Sequence, residues 1–147
     1  MKLVDCFMYF DEDLVLEIRL NTLYKIVDKF IIAEATKNHA GQPKKLNFDI
    51  NKFSNFKDKI EYLVIEDIPT KVKFYKKGWH ENHLRDQFQR NALERGYKYY
   101  SDDDLIMISD IDEIPNPEKI KDFNLESKVA CFLQKNFQSK INLLNVT

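Results

Sequence analysis

Two aspartates directly after an apolar run are the residues of this sequence whose types and spacing best suit chemistry. Asp110 and Asp112 follow residues 105–108, Leu-Ile-Met-Ile, which are typical of a buried strand. Because side chains alternate along a strand, residues two apart leave its end on the same side. Two carboxylates at one place repel each other, and a divalent cation removes that cost. Hard oxygen ligands favour Mg²⁺ or Mn²⁺ over zinc, and such a cation can bind a diphosphate. The pair therefore predicts a metal site for a nucleotide-sugar donor, with a solvated acidic turn as the alternative.

Further candidates for donor binding lie at the end of the second predicted strand and on the helix before the fourth. Glu34 could hydrogen-bond a ribose or base, as acids do at this place in nucleotide-binding sheets, or it could anchor a loop. Arg85 and Arg90 form i, i+4 pairs with Glu81 and Asp86, which are ordinary on helices. Yet they are two of only four arginines beside nineteen lysines, and a guanidinium fork can contact two phosphate oxygens. We expect at least one of them to face the donor.

The remaining polar residues of note are assigned to structural or surface roles. Arg19, in the first predicted helix, is expected to pair with a buried acid. His80 and His83 lack a third metal ligand of matching spacing and are expected at the surface. The run 102–104, Asp-Asp-Asp, is expected to be a solvated entry to the fourth strand. His39, in a loop after the second strand, is a secondary candidate for ligand contact.

The elements that must position these residues alternate between strand and helix from the start of the chain. Gly96 is predicted to end one helix, and Asn116 with Pro117 to begin another. The predicted strands are 2–9, 30–33, 60–65, 104–109, 128–134 and 140–146, and the predicted helices are 12–27, 52–59, 80–95 and 117–122. This alternation predicts an α/β fold, with a mostly parallel sheet, helices on both faces, and ligands beyond the carboxyl ends of the strands.

The length, charge and cysteine content of the chain limit the classes of protein to which it can belong. The 147 residues suit one domain, predicted as 1–147. Acids and bases number 24 and 23, and the net charge of −1 gives no support to nucleic-acid binding. Cys6 and Cys131 lie in apolar segments and are predicted to be buried thiols in a reducing setting. No run approaches the roughly 20 apolar residues that span a bilayer, and the N-terminus is unlike a signal peptide. We expect a cytoplasmic protein without a transmembrane segment, any membrane association being peripheral at the inner face.

The order of several segments resembles glycosyltransferase family 17. This family contains the enzyme that adds bisecting N-acetylglucosamine to N-glycans, together with many bacterial relatives. The resemblance covers most of residues 4–117, and its most specific segment contains the two aspartates. The matching segments are Val4–Phe7, Glu17–Leu20, Val27–Ala35, Gly41, Lys44–Leu46 and Asp104–Pro115.

The resemblance implies a GT-A-type, Rossmann-like fold and an inverting transfer of N-acetylglucosamine from UDP-N-acetylglucosamine to a glycan acceptor, such as a cell-surface or capsular precursor. Asp110 and Asp112 would take the family's D-x-D role, holding Mn²⁺ or Mg²⁺ and the donor. Inversion also needs a general base, and Glu113 is the candidate nearest in sequence. Only residues 114–147 follow it, whereas such enzymes usually continue through an acceptor-binding half. The resemblance therefore implies an incomplete C-terminal part, from a truncated or split gene.

Two other functions remain open on the sequence alone. A non-catalytic or split donor-binding half would fit the short length. A sugar nucleotidyltransferase would also use paired acids and a metal, but it usually has a glycine-rich, basic loop after the first strand. Residues 9–13, Tyr-Phe-Asp-Glu-Asp, are neither. The absence of G-x-G-x-x-G and of G-x-S-x-G argues against a nicotinamide dinucleotide and against a triad hydrolase.

Overall fold

The computed structural model describes residues 1–70, 80–123 and 128–135, which fall into two units. The first unit, Met1–Asp112, contains every strand found in the described residues. Its elements are β1 (Leu3–Met8), α1 (Asp13–Leu23), β2 (Lys29–Ala35), a 3₁₀ helix (Ile50–Phe56), β3 (Ile60–Ile65), α2 (Glu81–Ala92), α3 (Glu94–Tyr97) and β4 (Leu105–Ile108). The second unit, Glu113–Thr147, contains α4 (Pro117–Ile120).

The four strands form one sheet in the order β3-β2-β1-β4, and all neighbouring pairs are parallel. Cys6 of β1 lies opposite Ile31 of β2 on one side and Ile108 of β4 on the other. The chain therefore builds outwards from β1 to β3 and then returns to place β4 on the opposite side of β1. Ligands of open α/β sheets bind at such a reversal of strand order, beyond the carboxyl ends of the strands.

Helices cover both faces of the sheet, as the strand–helix alternation predicts. Successive residues of β1 point to opposite faces, and Asp5 bonds Arg19 of α1 while Cys6 packs in a buried cluster with Leu93, at the end of α2. The predicted apolar stripe of α1 is buried through Leu16, Leu20 and Leu23. The helix ends at Leu23 rather than at 27, although Val27 is still buried. The first unit is thus a Rossmann-like α/β fold.

Gly96 does not end a helix as predicted. It is buried inside α3, where a Cβ atom would lie 2.7 Å from Ile31 Cγ2 of β2. The absence of a side chain lets the helical segment approach the sheet closely. The preceding helix α2 already ends at Ala92, so the predicted helix 80–95 is divided into two.

The starts of two predicted helices can be compared with the structure. The short helix predicted at 52–59 is a 3₁₀ segment that begins earlier, after Asp49, whose side chain accepts from Asn51 N–H at 3.0 Å. The predicted cap of α4 is confirmed, because the Asn116 side chain accepts from Glu118 N–H at 2.9 Å.

The last two predicted strands have different outcomes. Residues 128–135 form no strand, and Cys131 among them is exposed rather than buried. All of these residues are exposed, so their apolar composition reflects neither a strand nor a buried segment of the described structure. The strand predicted at 140–146 lies outside the described residues. No helix within the described ranges has the length and apolarity needed to cross a bilayer.

Candidate functional site

A cleft of about 660 Å³ opens in the first unit where the chain leaves β1 and β4. Its apolar lining includes Met8 and Phe10 after β1 and Ile111 after β4. Most of the polar side chains that line the cleft come from the loop after β2 and from α2. The charged side chains that line the cleft are Glu12, Lys37, Lys44, Asp86, Arg90, Asp110 and Asp112. This is the place in the fold where the strand order predicts a ligand.

The two aspartates of the predicted metal site both line this cleft. The strand that carries them ends at Ile108, and Ser109 N–H still donates to Cys6 O at 3.3 Å. Asp110 and Asp112 therefore lie on a turn, and the turn rather than strand alternation brings both of them to the cleft. The side chain of Asp112 is exposed and has no hydrogen bond or ion pair to any residue that the structure describes, so its oxygens are available to a ligand.

Asp110 pairs with Arg90 of α2. Its Oδ1 lies 2.6 Å from Arg90 Nη2, and the two side chains are 49 % and 35 % exposed. Arg90 also lies 4.0 Å from Asp86 Oδ2, in the i, i+4 pair expected from the sequence. The guanidinium is thus held at the cleft by two carboxylates while part of it faces solvent. Of the two arginines predicted for donor binding, Arg90 is the one that lines the cleft.

The acidic pair fits Mg²⁺ or Mn²⁺ better than zinc. No group of three or more His, Cys, Asp or Glu side chains suited to a metal ion occurs in the described part of the chain. A closed protein cage of the kind that holds structural zinc is therefore absent there. Mg²⁺ is commonly bound by one or two carboxylates, with waters and substrate phosphates as the other ligands. Asp110 and Asp112 could provide those carboxylates.

A buried ion pair lies under the turn that carries the aspartates. The side chains of Arg19 and Asp5 are both 0 % exposed, and Arg19 Nε and Nη2 lie 2.8 and 2.7 Å from the Asp5 carboxylate. This confirms that Arg19 is the partner of a buried acid. The sequence did not indicate its other contacts. Arg19 also donates to Ser109 Oγ at 2.7 Å and to the carbonyls of Asp110 and Ile111 at 2.8 and 3.0 Å.

Glu34 lies outside the cleft, and its geometry favours the loop-anchor role over donor contact. The side chain is fully buried and paired with Lys44. Its carboxylate accepts from Asn47 N–H at 2.8 Å, from Phe48 N–H at 3.1 Å and from Tyr62 Oη at 2.7 Å. These partners surround both oxygens, so a ribose or base would have to displace one of them. Through this carboxylate, β2 fixes the loop that delivers Lys44 to the cleft.

Arg85 also lies outside the cleft lining and holds loops together. Only 3 % of its surface is exposed, and its guanidinium donates to the carbonyls of Pro69, Thr70 and His39 and to Glu81. Gly41 packs against the guanidinium, and a Cβ there would lie 2.9 Å from Arg85 Cζ. The geometry favours a structural role for Arg85, since its donors are directed at protein oxygens.

The three histidines occupy the places that the sequence suggests. His80 and His83 are exposed at the start of α2. His39 lines the cleft, and its Nε2 lies 3.7 Å from Asp86 Oδ1. Sequence reasoning missed two neighbours of His39 along the cleft, Lys37 and Lys44. The available signal was their position in a loop directly after a strand, at the edge where ligands bind.

Comparison with known proteins identifies the family. The family model described as Glycosyltransferase family 17 matches residues 1–136. Comparison with curated proteins and with solved structures gives no match. The family match spans all of the first unit, including the aspartate turn, Arg19 and the loop that carries Lys44. The chain therefore belongs to glycosyltransferase family 17 and is a glycosyltransferase.

Proposed function

We propose that this glycosyltransferase transfers N-acetylglucosamine from UDP-N-acetylglucosamine to a glycan acceptor, with inversion at the anomeric carbon, and that Asp110 and Asp112 hold Mn²⁺ or Mg²⁺. The observation that carries the proposal is that both aspartates line one cleft together with Arg90. Family membership supports sugar transfer. The choice of donor rests on the resemblance of the aspartate segment to the family's D-x-D motif.

The charges of the cleft support the proposed requirement for a cation. A diphosphate carries several negative charges, and two carboxylates alone would repel it. A bound divalent cation would offset this repulsion and stabilise the charge that develops on the departing UDP. Lys37 and Arg90 add positive charge around the same cleft, and Lys44 also lines it, with its charge paired to the buried Glu34. The site therefore combines groups that hold a cation with groups that attract the phosphates.

Arg90 is proposed to contact the donor diphosphate. Its pairing with Asp110 at 2.6 Å fixes one edge of the guanidinium, and the 35 % exposure of the side chain leaves part of it accessible from the cleft. A guanidinium can bond a carboxylate with one N–H group and a phosphate oxygen with another. Arg90 would thereby align the leaving group with the metal ligands.

Inversion requires a base for the acceptor hydroxyl. The acceptor oxygen forms a bond to the anomeric carbon while the bond from that carbon to the UDP oxygen breaks, and the hydroxyl proton passes to the base. We propose Glu113, which begins the second unit, for this role. Glu113→Gln is expected to abolish turnover while leaving UDP binding unchanged. Glu118→Gln, at an exposed acid of the same unit, is the control. Wild-type turnover by the Glu113 variant would exclude the assignment.

Calorimetry with UDP and Mn²⁺, followed by a UDP-release assay, tests the function. The wild type is expected to bind UDP tightly only when Mn²⁺ is present, and to release UDP from UDP-N-acetylglucosamine when a suitable acceptor is added. Asp112→Asn is expected to lose the Mn²⁺-dependent binding. Asp103→Asn, at an exposed aspartate before β4 and outside the cleft, is the matched control. Equal UDP affinity in wild type and Asp112→Asn would rule out the metal role.

The same experiment separates the other two candidates. UDP binding without turnover on any acceptor would support a donor-binding module. Nucleotidyl transfer is disfavoured by the segment after β1, because the N–H groups of Phe10 and Asp11 donate to Glu12 Oε2 at 2.9 and 3.1 Å. A carboxylate thus occupies the amides that a phosphate loop would offer to its nucleotide. Release of pyrophosphate from UTP and a sugar phosphate would restore that candidate.

A further inference from the structure

The buried pair of Asp5 and Arg19 holds the aspartate turn from below. The guanidinium donates twice to Asp5, once to Ser109 Oγ, and once each to the carbonyls of Asp110 and Ile111. Three consecutive residues of the turn are therefore held by one side chain. That side chain belongs to α1, ninety residues earlier in the sequence.

These contacts determine where the two aspartates point. Arg19 Nη1 attracts the carbonyls of Asp110 and Ile111 together, so both peptide groups direct their oxygens into the protein. Fixing two successive carbonyls restricts the backbone dihedrals on either side of Ile111, and with them the directions of the flanking side chains. Asp110 and Asp112 are then presented to the cleft in one arrangement rather than in many.

A role in folding alone does not account for the arginine. Position 19 lies on the buried side of α1 among leucines, and Arg19 is 0 % exposed. Burying an ion pair is costly, and apolar side chains of similar volume often stabilise a protein as well or better. An apolar pair would fill the space between α1 and β1, but it would leave the carbonyls of the turn without these donors. The hydrogen bonds from Arg19 to the turn are therefore what the ion pair provides and an apolar pair would not.

We propose that Arg19, oriented by Asp5, is a positioning residue that preorganises Asp110 and Asp112 for a divalent cation and its bound diphosphate. This inference rests on the proposed function, because it assumes that the aspartates bind the cation. Arg19 itself does not line the cleft, so it is not proposed to contact the cation or the diphosphate. Its effect passes through the backbone of the turn, in the way that groups behind metal ligands orient them.

The test is Arg19→Lys, which keeps the positive charge beside Asp5 but lacks the planar fork that reaches three residues of the turn. Free Mn²⁺ is measured by electron paramagnetic resonance while Mn²⁺ is titrated into protein with excess UDP. The Mn²⁺ dissociation constant is expected to rise by about 10- to 100-fold, the usual effect of losing a group behind metal ligands. Hydrogen exchange of the segment 109–112 in the metal-free protein is expected to become faster.

Leu23→Ala is the matched control. Leu23 is fully buried on the same helix, and its truncation lowers stability without removing any bond to the turn. Mn²⁺ affinity and exchange at 109–112 should stay at wild-type values in this variant, at a temperature where it is folded. If Arg19→Lys does not fold, Ser109→Ala removes the bond from Arg19 to Ser109 Oγ and should also weaken Mn²⁺ binding.

The outcomes distinguish the two proposals. Wild-type protein whose UDP binding does not depend on Mn²⁺ would overturn the metal role of the aspartates. Mn²⁺-dependent binding that is equal in wild type, Arg19→Lys and Ser109→Ala would overturn the positioning role alone. An equal loss of affinity in Arg19→Lys and Leu23→Ala would show that general destabilisation is the cause, and would also overturn it.

Discussion

Replacing Glu34 by glutamine separates the two roles that the sequence allows for this acid. In the structure the carboxylate is fully buried, is paired with Lys44, and accepts from two backbone N–H groups and from Tyr62 Oη. Glutamine keeps the shape, but it removes the charge and turns one oxygen into an NH₂ group. That group would face N–H and O–H donors, so at least one buried donor loses its acceptor.

The magnitude follows from these contacts. Breaking a buried pair by removing one partner costs about 3–5 kcal/mol, because the other charge stays uncompensated. The 12 % exposure of the Lys44 side chain lets it reach water in part, so we expect the lower end, about 3 kcal/mol. For a chain of this size, 1 kcal/mol shifts Tm by about 2–4 °C, which gives a fall of roughly 6–12 °C.

Urea unfolding followed by circular dichroism measures this loss, and calorimetry with UDP measures any direct effect on the donor. Tyr62→Phe is the control, since it removes a single hydrogen bond to the same carboxylate and should cost about 1 kcal/mol. A Glu34→Gln protein that loses less than about 1 kcal/mol of stability yet binds UDP poorly would refute the loop-anchor reasoning. It would restore a direct contact with ribose or base.

Three further predictions concern the cleft, the thiols and the sheet. Arg90→Ala should weaken UDP binding in calorimetry by about tenfold or more, since hydrogen bonds to charged groups contribute about 1.5–3 kcal/mol; unchanged affinity would remove this residue from the donor site. A thiol-reactive dye should modify Cys131 in the native protein and Cys6 only after unfolding, because burial raises the pKa of the Cys6 thiol; two fast-reacting native thiols would contradict this burial. Gly96→Ala should cost about 1–3 kcal/mol in urea unfolding, because its methyl group would lie 2.7 Å from Ile31 Cγ2; a neutral effect would mean that α3 can move away from the sheet.

Local patterns were sufficient to predict much of the fold. The apolar runs gave the four strands of the sheet, and the stripe of leucines gave α1. The alternation of strand patterns and helix patterns along the chain predicted parallel strands with helices on both faces of the sheet. The order β3-β2-β1-β4 was beyond these patterns, because nothing in the residues of β4 shows that it pairs with β1 rather than with β3. Strand order depends on packing between elements far apart in sequence.

In the candidate site, too, the sequence predicted some features and could not predict others. The spacing of Asp110 and Asp112 drew attention to a turn that lines the cleft, and Arg90, on the helix that precedes β4, lines the same cleft. The sequence could not distinguish Arg90 from Arg85, because both form the same i, i+4 pair and only the fold buries Arg85. Glu34 was located at the end of β2, but its role depends on a loop ten or more residues later.

Because Arg19 of α1 holds the turn through hydrogen bonds, the aspartate segment alone is not sufficient to transfer the site to another protein. Transplanting residues 109–112 onto another parallel sheet would transfer the acids but leave behind the donor that directs the carbonyls inward. Designers who wish to graft this site would need to move the first strand and first helix with it, so the smallest transferable unit comprises three separate stretches of the chain.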